Sequence, residues 1–119
     1  MEERRGAVRF PVTVLVEFLD PNTAKPERSF TDDVSTSGIR FPTAARLQIS
    51  QELALTLELP SEGSEGSAFR ATGEVIWIRE IARLGATQYE VGVRFRWIED
   101  PDLQRLNQFL HVHVRPPQP

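Results

Sequence analysis

Apolar and polar residues alternate along three stretches of this chain, and the alternation leaves little choice of secondary structure. In each stretch the apolar side chains occupy every second position. They are Phe10, Val12, Val14, Val16 and Phe18, then Leu53, Leu55, Leu57 and Leu59, then Val91, Val93, Phe95 and Trp97. A period of two places one set of side chains on one face of a β-strand. The chain is therefore predicted to be mainly β, with these residues facing its core.

Two further strands are predicted between the alternating stretches. Residues 20–27 carry Asp, Pro and Asn, which favour a turn, so residues 28–34 are expected to run back as a strand. Residues 69–79 are predicted to form a long strand, and its second half is expected to be covered on both faces. The connection at 61–67 is rich in Ser, Glu and Gly and is predicted to be an exposed, flexible hairpin loop.

The periodicity changes near the end of the chain. Asp100 suits an N-cap, Pro101 suits a first helical turn, and leucines follow at 103, 106 and 110. This spacing predicts a helix over 101–113 that packs its apolar side on the strands. Five or six short strands with a C-terminal helix indicate a small antiparallel β-barrel.

Composition narrows the classes of function. The 119 residues suit one domain, and 14 Lys and Arg against 17 Asp and Glu give a net charge of -3, which argues against general nucleic-acid binding. Cysteine is absent, so disulfide and thiolate chemistry are excluded. No apolar run approaches the roughly eighteen residues of a membrane span and no leader segment is visible, so a cytoplasmic location without membrane insertion is predicted. His111 and His113 are two residues apart and diverge on a helix, so no metal site is expected.

Two short segments carry the chemistry of a nucleotide site. Residues 4–9 read Arg-Arg-Gly-Ala-Val-Arg, so Arg5 and Arg9 form an RxxxR pattern with Arg4 in front of it. Residues 33–38 read Asp-Val-Ser-Thr-Ser-Gly, a DxSxxG pattern. Guanidinium groups bind phosphates and the O6/N7 edge of guanine, and a carboxylate accepts from the N1 and N2 donors of the opposite edge. The glycine is expected to adopt a positive φ.

Each segment also has a simpler explanation when it is taken alone. Arginines near a terminus are usually solvated, and Asp-x-Ser-x-x-Gly is a common turn because Asp and Ser bond local backbone groups.

A tripeptide of apolar residue, arginine and phenylalanine ends at Phe10, Phe41 and Phe95. It predicts that Arg9, Arg40 and Arg94 leave the core side of their strands and form a positive patch if those strands are neighbours.

Both segments, in this order at the start of a β-rich chain, closely resemble the motifs of the PilZ domain, a bacterial receptor module for cyclic di-GMP. The resemblance covers nearly the whole chain and continues in Gly-Val-Arg-Phe at 92–95. It implies an all-β fold, a six-stranded antiparallel barrel with a C-terminal helix. It also implies that the RxxxR segment precedes the first strand as a loop that wraps the ligand, while the DxSxxG segment lies on the barrel surface.

The resemblance also implies a set of binding residues. They are Arg5, Arg9, Asp33, Ser35 and Gly38. Arginine at the position of Arg4 is associated in relatives with an intercalated ligand dimer, so two nucleotides per chain are expected. Ser37 stands where many relatives have a second glycine and Asp33 where others have asparagine, and neither departure removes a needed chemical group.

The predicted organisation is an N-terminal ligand-wrapping segment at 1–9, a barrel with its helix at 10–114 and a tail at 115–119. The predicted function is that of a cyclic di-GMP receptor without cofactor or metal, which orders its N-terminal segment on binding and signals to a protein partner that the sequence does not identify. The alternative is a PilZ-like protein-interaction module that does not bind nucleotide.

Two other classes of function are disfavoured. Catalysis by Asp33 and Ser35 would need a base, and no histidine lies near them in the sequence. A single-stranded nucleic-acid barrel would need an outward row of aromatic side chains, which the alternation does not predict, and a basic balance that the chain lacks.

Overall fold

A computed structural model describes residues 8–60 and 67–112, and within them the chain forms seven strands and one helix. The strands are β1 (Leu15–Leu19), β2 (Pro26–Phe30), β3 (Asp33–Val34), β4 (Gly38–Thr43), β5 (Glu52–Leu59), β6 (Ser67–Arg83) and β7 (Ala86–Ile98), and the helix is α1 (Asp100–Val112). All neighbouring strands are antiparallel and lie in one sheet in the order β2-β1-β5-β6-β7-β4-β3. The sheet curls into a half-barrel.

Contacts outside the strand ladders draw the two ends of the sheet together. Phe10 and Val34 exchange backbone hydrogen bonds of 2.8 and 3.0 Å, which join the segment before β1 to β3. The Ser29 hydroxyl on β2 donates to the carbonyl of Pro42 on β4. The Thr31 hydroxyl accepts from the Val14 amide, which extends the contact between the neighbouring β1 and β2 segments beyond their ladder.

The core lies inside the curl of the sheet and is closed by α1. In the first two alternating stretches, every predicted core residue is buried except Val12, which is half-buried. Leu106, Phe109 and Leu110 of α1 pack into the same cluster. The helix also touches the N-terminal part of the chain, because the His111 ring meets the Phe10 ring edge to face at 5.5 Å. The mainly β fold with a C-terminal helix is confirmed.

Some details differ from the expectation. There are seven strands and not six, because residues 28–34 do not form one strand: Thr31 bonds Val14 and Asp32 bonds Arg40 through their amides, which separates β2 from β3. The alternation begins at Phe10, but the regular ladder begins only at Leu15, since the Val12 amide donates to the Phe10 carbonyl and the Val14 amide to the Thr31 hydroxyl. The helix spans Asp100–Val112, within one residue of the predicted bounds at each end.

Two irregularities in the β6–β7 pairing reverse the expected side of several side chains. Val75 faces Val93 and Trp77 faces Gly92, which leaves Ile76 as an extra residue on β6. Thr72 faces Trp97 and Gly73 faces Phe95, which leaves Arg96 as an extra residue on β7. The prediction that Trp97 points inward is therefore wrong, since 55% of its surface is exposed. The prediction that the second half of β6 is covered on both faces is also wrong, because Ile76 and Trp77 are exposed.

Several predictions fall outside the described residues. They concern the segment at 1–7 with Arg4 and Arg5, the loop at 61–66, His113 and the tail at 115–119. Within the described part, no helix is long and apolar enough to cross a membrane.

Candidate functional site

The structure brings the two sequence motifs into direct contact. Arg9 donates from both Nε and Nη2 to Oδ1 of Asp33, over 2.9 and 2.6 Å. The contact follows from the fold, because the backbone bridge between Phe10 and Val34 places the residue before each of them at the same edge. Asp33 is largely covered, while Arg9 keeps nearly half of its side chain exposed. A cation at the surface is thus held by a carboxylate below it.

A second arginine approaches the same carboxylate from the sheet. Asp33 on β3 is paired with Arg40 on β4, and Nε of Arg40 lies 3.0 Å from Oδ2 of Asp33. Arg40 also lies 3.7 Å from Glu90 on β7, so it stands between two carboxylates. Asp33 therefore has a guanidinium group against each of its oxygens. We call Arg9, Asp33 and Arg40 the Asp33 cluster.

Glu90 extends this charged network along the outer face. Its side chain is almost fully covered, and Nη2 of Arg79 donates to Oε1 over 2.8 Å. A hydrogen bond with Asp32 and then the one from Arg79 hold the pKa of Glu90 below its ordinary value, although burial acts in the opposite direction. The covered carboxylates on this face are thus compensated by arginines and hydrogen bonds.

Ser35 and Gly38 shape the turn of the DxSxxG motif. The Ser35 hydroxyl is buried and accepts from the amides of Ser37 and Gly38 over 3.0 and 3.2 Å, with the Ser37 hydroxyl at 3.0 Å. The carbonyl of Ser37 accepts from the Phe95 amide over 2.8 Å, which fixes the turn to β7. The Ser35 side chain therefore holds the backbone of the turn in place, and its contact with a ligand remains a prediction.

Gly38 is required for a reason other than the one expected. A positive φ was predicted, but among the described glycines only Gly85 has one. Instead, β4 approaches β7 so closely at this point that a Cβ on Gly38 would lie 2.2 Å from the carbonyl oxygen of Val93. The expectation of a left-handed turn is wrong, and the glycine serves the close approach of two strands.

A cavity of about 850 Å³ opens beside this turn. Its lining comes from Arg9, from the turn and from the outer side of β6 and β7. The lining residues are Arg9, Thr36, Ser37, Gly38, Ile39, Ile76, Gly92, Val93, Arg94, Phe95, Arg96, Trp97 and Ile98. A second cavity, of about 590 Å³, lies near the β1–β2 turn, and no motif residue lines it. The two motifs and the larger cavity therefore form one candidate site.

The far side of the cavity holds a second group of charges. Nη2 of Arg94 and Nη1 of Arg96 both donate to Oε1 of Glu74, over 3.1 and 2.9 Å. These hydrogen bonds, first from Arg96 and then from Arg94, hold the pKa of Glu74 below its ordinary value. We call these three residues the Glu74 cluster. It lies on β6 and β7, outside both motifs.

Sequence reasoning found one side of the site and missed the other. Arg40 and Arg94 do lie on the outer side of neighbouring strands, as predicted, but carboxylates accompany them, so the patch is a mixed-charge surface. Trp77 and Trp97 also lie outside, whereas the alternation predicted no outward row of aromatic side chains. Glycines inside β6 and β7 were the available signal, because a glycine within a strand often marks a bulge or a close approach.

The site contains no arrangement of metal ligands among the residues that the structure describes, since no group of three or more His, Asp or Glu residues there could hold an ion. Its chemistry is instead that of arginines, a backbone turn and an aromatic ring around an open cavity. Such a surface suits a planar anionic ligand.

Comparison with known proteins agrees with this chemistry. The family model of the PilZ domain matches residues 3–111, which include both motifs. PilZ domains are non-catalytic modules, and the family is one of cyclic di-GMP (c-di-GMP) receptors. No curated protein matches the chain.

Solved structures share the fold. The Bacillus subtilis inhibitor of motility (MotI/DgrA) superposes with a TM-score of 0.76 at 20% identity, covering 93% of this chain and 51% of that one. The K. pneumonia MrkH–c-di-GMP complex superposes with a TM-score of 0.74 at 18% identity, covering 92% of this chain and 52% of that one. The PilZ domain of YcgR from Escherichia coli with c-di-GMP superposes with a TM-score of 0.67 at 20% identity, covering 92% of this chain and 90% of that one.

The chain thus spans about half of MotI/DgrA and MrkH and nearly the whole YcgR domain. The family match extends from before the first motif into the C-terminal helix. This chain belongs to the PilZ domain family.

Proposed function

We propose that this chain is a receptor for cyclic di-GMP and binds it over the cavity between the DxSxxG turn and β7. The observation that carries the proposal is the contact of Arg9 with Asp33, which joins the two motifs at the edge of that cavity. Membership of a family of cyclic di-GMP receptors supports the choice of ligand. MrkH and the YcgR domain, which share the fold, have structures with c-di-GMP bound.

Each motif residue has a role in this proposal. Arg9 contacts a phosphate or the O6/N7 edge of a guanine with its guanidinium fork. Asp33 accepts from the N1 and N2 donors of a guanine, and it keeps Arg9 pointing along the surface until the ligand arrives. Ser35 and Gly38 act through the turn, because together they fix its backbone against β7.

Arg4 and Arg5 complete the proposed set although they lie outside the described residues. Arg5 is the first arginine of the RxxxR motif and supplies a second cation for the two phosphates of the ligand. Arg4 supplies a third, which offsets part of the repulsion among four phosphates if two nucleotides intercalate. We therefore propose two nucleotides per chain. Calorimetry at a known protein concentration distinguishes a ratio of two from a ratio of one, and Arg4→Leu is expected to lower it toward one.

The proposed signal is the ordering of the N-terminal segment at 1–9. Arg9 already contacts Asp33, so the change concerns the residues before it. Ordering costs about 1 to 2 kcal/mol per residue, and contacts of Arg4 and Arg5 with phosphates exist only when the ligand is bound. Amides of residues 5–8 are expected to exchange hydrogen faster without cyclic di-GMP than with it. Equal exchange in both states would contradict the switch and leave binding intact.

Isothermal titration calorimetry tests the receptor function directly. Cyclic di-GMP is expected to bind, while GTP, cyclic mono-GMP and a single-stranded oligonucleotide bind much more weakly or not at all. The oligonucleotide is a necessary comparison, because the outward tryptophans weaken one of the two arguments against nucleic acid. No heat with high micromolar cyclic di-GMP would refute the proposal.

A protein-interaction module is the second candidate, and the exposed apolar side chains favour it. Ile76, Trp77 and Trp97 lie on the outer side of β6 and β7, where a partner protein could cover them. A receptor that signals also needs a partner, so the test is its dependence on ligand. Co-purification that is unchanged by cyclic di-GMP, together with absent calorimetric heat, would favour the module over the receptor. A cytoplasmic location fits either candidate and stays a prediction.

A further inference from the structure

Two bulges on neighbouring strands turn apolar side chains into the same cavity. On β6 the extra residue is Ile76 itself, which is 44% exposed. On β7 the extra residue is Arg96, and the shift that it causes moves Trp97 from the core side to the outer side. Both side chains line the 850 Å³ cavity. Bulges are frequent next to binding sites, where they redirect a side chain that regular pairing would place elsewhere.

The exposed Trp97 ring contributes little to the stability of the fold. Trp97 is not part of the buried core cluster, to which Val91, Val93 and the apolar side of α1 belong. An indole left in water forgoes the free energy of burial that its ring would contribute in the core. An exposed ring beside a second exposed apolar side chain is thus better explained by a role in binding than by a role in folding.

The charges around Trp97 indicate what kind of group binds. Arg94 and Arg96 flank the cavity from β7, and Arg9 borders it from the other side. Three guanidinium groups stand against the carboxylates of Asp33 and Glu74, so the cavity has an excess of positive charge. An aromatic face next to arginines fits a base attached to a phosphate better than it fits an apolar protein surface.

We propose that Trp97, with Ile76 beside it, is the platform on which one guanine of cyclic di-GMP stacks, and that Arg94 and Arg96 contact the phosphate or the O6/N7 edge next to it. This inference rests on the proposed receptor function and adds a binding half that neither motif contains. The motif half supplies Arg9 and the DxSxxG turn, and the β7 half supplies a stacking face and two further cations. Glu74 holds those two arginines in the absence of ligand.

Tryptophan fluorescence tests the platform in the full chain. The chain has two tryptophans, so Trp77→Phe leaves Trp97 as the single tryptophan and Trp97→Phe leaves Trp77. Cyclic di-GMP is expected to quench the emission of the first variant strongly and that of the second weakly. If the emission of Trp97 is already that of a covered indole and the ligand does not change it, another part of the chain or another copy occupies the platform, and the proposal is overturned.

Affinity gives the second readout. Stacking of a base on an aromatic side chain predicts that Trp97→Ala weakens binding about ten- to a hundredfold, with little change in salt dependence. Trp97→Phe keeps a ring and is expected to recover much of that loss. Arg96→Ala is expected to weaken binding and to reduce its salt dependence, because it removes a charge contact. Trp77→Phe is the matched control and is expected to bind normally.

The outcomes separate this inference from the receptor function. If the unmodified protein binds cyclic di-GMP and Trp97→Ala binds it equally well, the platform is refuted and the receptor stands. If the unmodified protein does not bind, both are refuted. Circular dichroism shows whether Trp97→Ala is folded, and if it is not, the quenching of the Trp77→Phe variant decides the matter.

Discussion

Asp33 and Glu74 each hold two arginines on the outer side of the half-barrel, but the two clusters connect different parts of the chain. Asp33 joins β3 to Arg40 on the adjacent β4 and to Arg9, which precedes the first strand. Glu74 joins β6 to Arg94 and Arg96 on the adjacent β7. The Asp33 cluster joins the segment before β1 to the sheet. The Glu74 cluster lies on two strands that backbone hydrogen bonds already hold together.

Because of this difference, we expect the Asp33 cluster to shape the site and the Glu74 cluster to set the charge around it. The Asp33 cluster adds a charged connection between the segment before β1 and β3, beside the Phe10–Val34 bridge and the burial of Phe10 in the core. The Glu74 cluster adds little to the pairing of two long strands, because the backbone hydrogen bonds of the β6–β7 ladder already hold them. We therefore expect changes in the Asp33 cluster to alter how the site is assembled. Changes in the Glu74 cluster should mainly alter the charge that a ligand meets.

Replacement of Arg9 should have the largest effect on binding among changes in the two clusters. Hydrogen bonds to charged groups contribute about 1.5 to 3 kcal/mol each, so Arg9→Ala is expected to weaken cyclic di-GMP binding about ten- to a hundredfold in calorimetry. The fold should survive, because Arg40 still faces Asp33 at 3.0 Å. Arg9→Lys keeps the charge without the fork and should recover only part of the loss.

Arg28→Ala is the matched control for this change. Arg28 also pairs with one carboxylate, that of Glu17, but it lies on β2 away from the cavity. Its removal should leave the affinity unchanged. Equal effects of the two substitutions would mean that net charge, and not the position of Arg9, determines binding.

Gly38 lies between the two clusters, and an added methyl group there should disturb both. Gly38 faces Arg94 in the ladder, and its Cβ would meet the Val93 carbonyl at 2.2 Å. Gly38→Ala must separate β4 from β7 locally, so we expect a loss of about 1 to 3 kcal/mol in the free energy of unfolding, the usual range for overpacking. Urea denaturation measures it. Thr36→Ala in the same turn should change stability by far less, and equal losses would contradict the close-approach argument.

These cases show how far the sequence alone specifies the site. Alternation identified the core residues of β1 and β5, because regular strands keep one parity from end to end. It failed at Trp97, because a bulge is a property of two paired strands and one strand does not show its register. The motif suggested that Arg9 and Asp33 act together, but their direct ion pair depends on the bridge at Phe10, which a single sequence does not reveal.

Neutralising Glu74 should raise affinity, in contrast to every change in the Asp33 cluster. Glu74 competes with the ligand for Arg94 and Arg96, and its removal frees both cations. Glu74→Gln is expected to tighten cyclic di-GMP binding about three- to tenfold, which corresponds to roughly 0.7 to 1.4 kcal/mol. Glu58→Gln, at an exposed position of β5, removes the same charge elsewhere and is the control. Weaker binding by Glu74→Gln would mean that Glu74 positions the arginines and does not compete for them.

The smallest expected effect is the pH dependence that Glu74 adds to stability. Hydrogen bonds from Arg96 and then Arg94 hold the pKa of Glu74 below its ordinary value in the folded protein, so folding favours the charged form. The stabilisation is therefore complete from roughly one pH unit above the ordinary carboxyl pKa upward, and it is lost as the pH falls through the lower pKa of the folded state. Urea midpoints of the unmodified protein and Glu74→Gln should differ by a constant amount from pH 7 to about 5.5, and the difference should shrink as the pH drops below the ordinary carboxyl pKa. A difference in urea midpoint that stays constant down to pH 3 would show that the two arginines do not favour the ionised carboxyl. The ion pairs of the Glu74 cluster would then contribute nothing to the stability of the free protein.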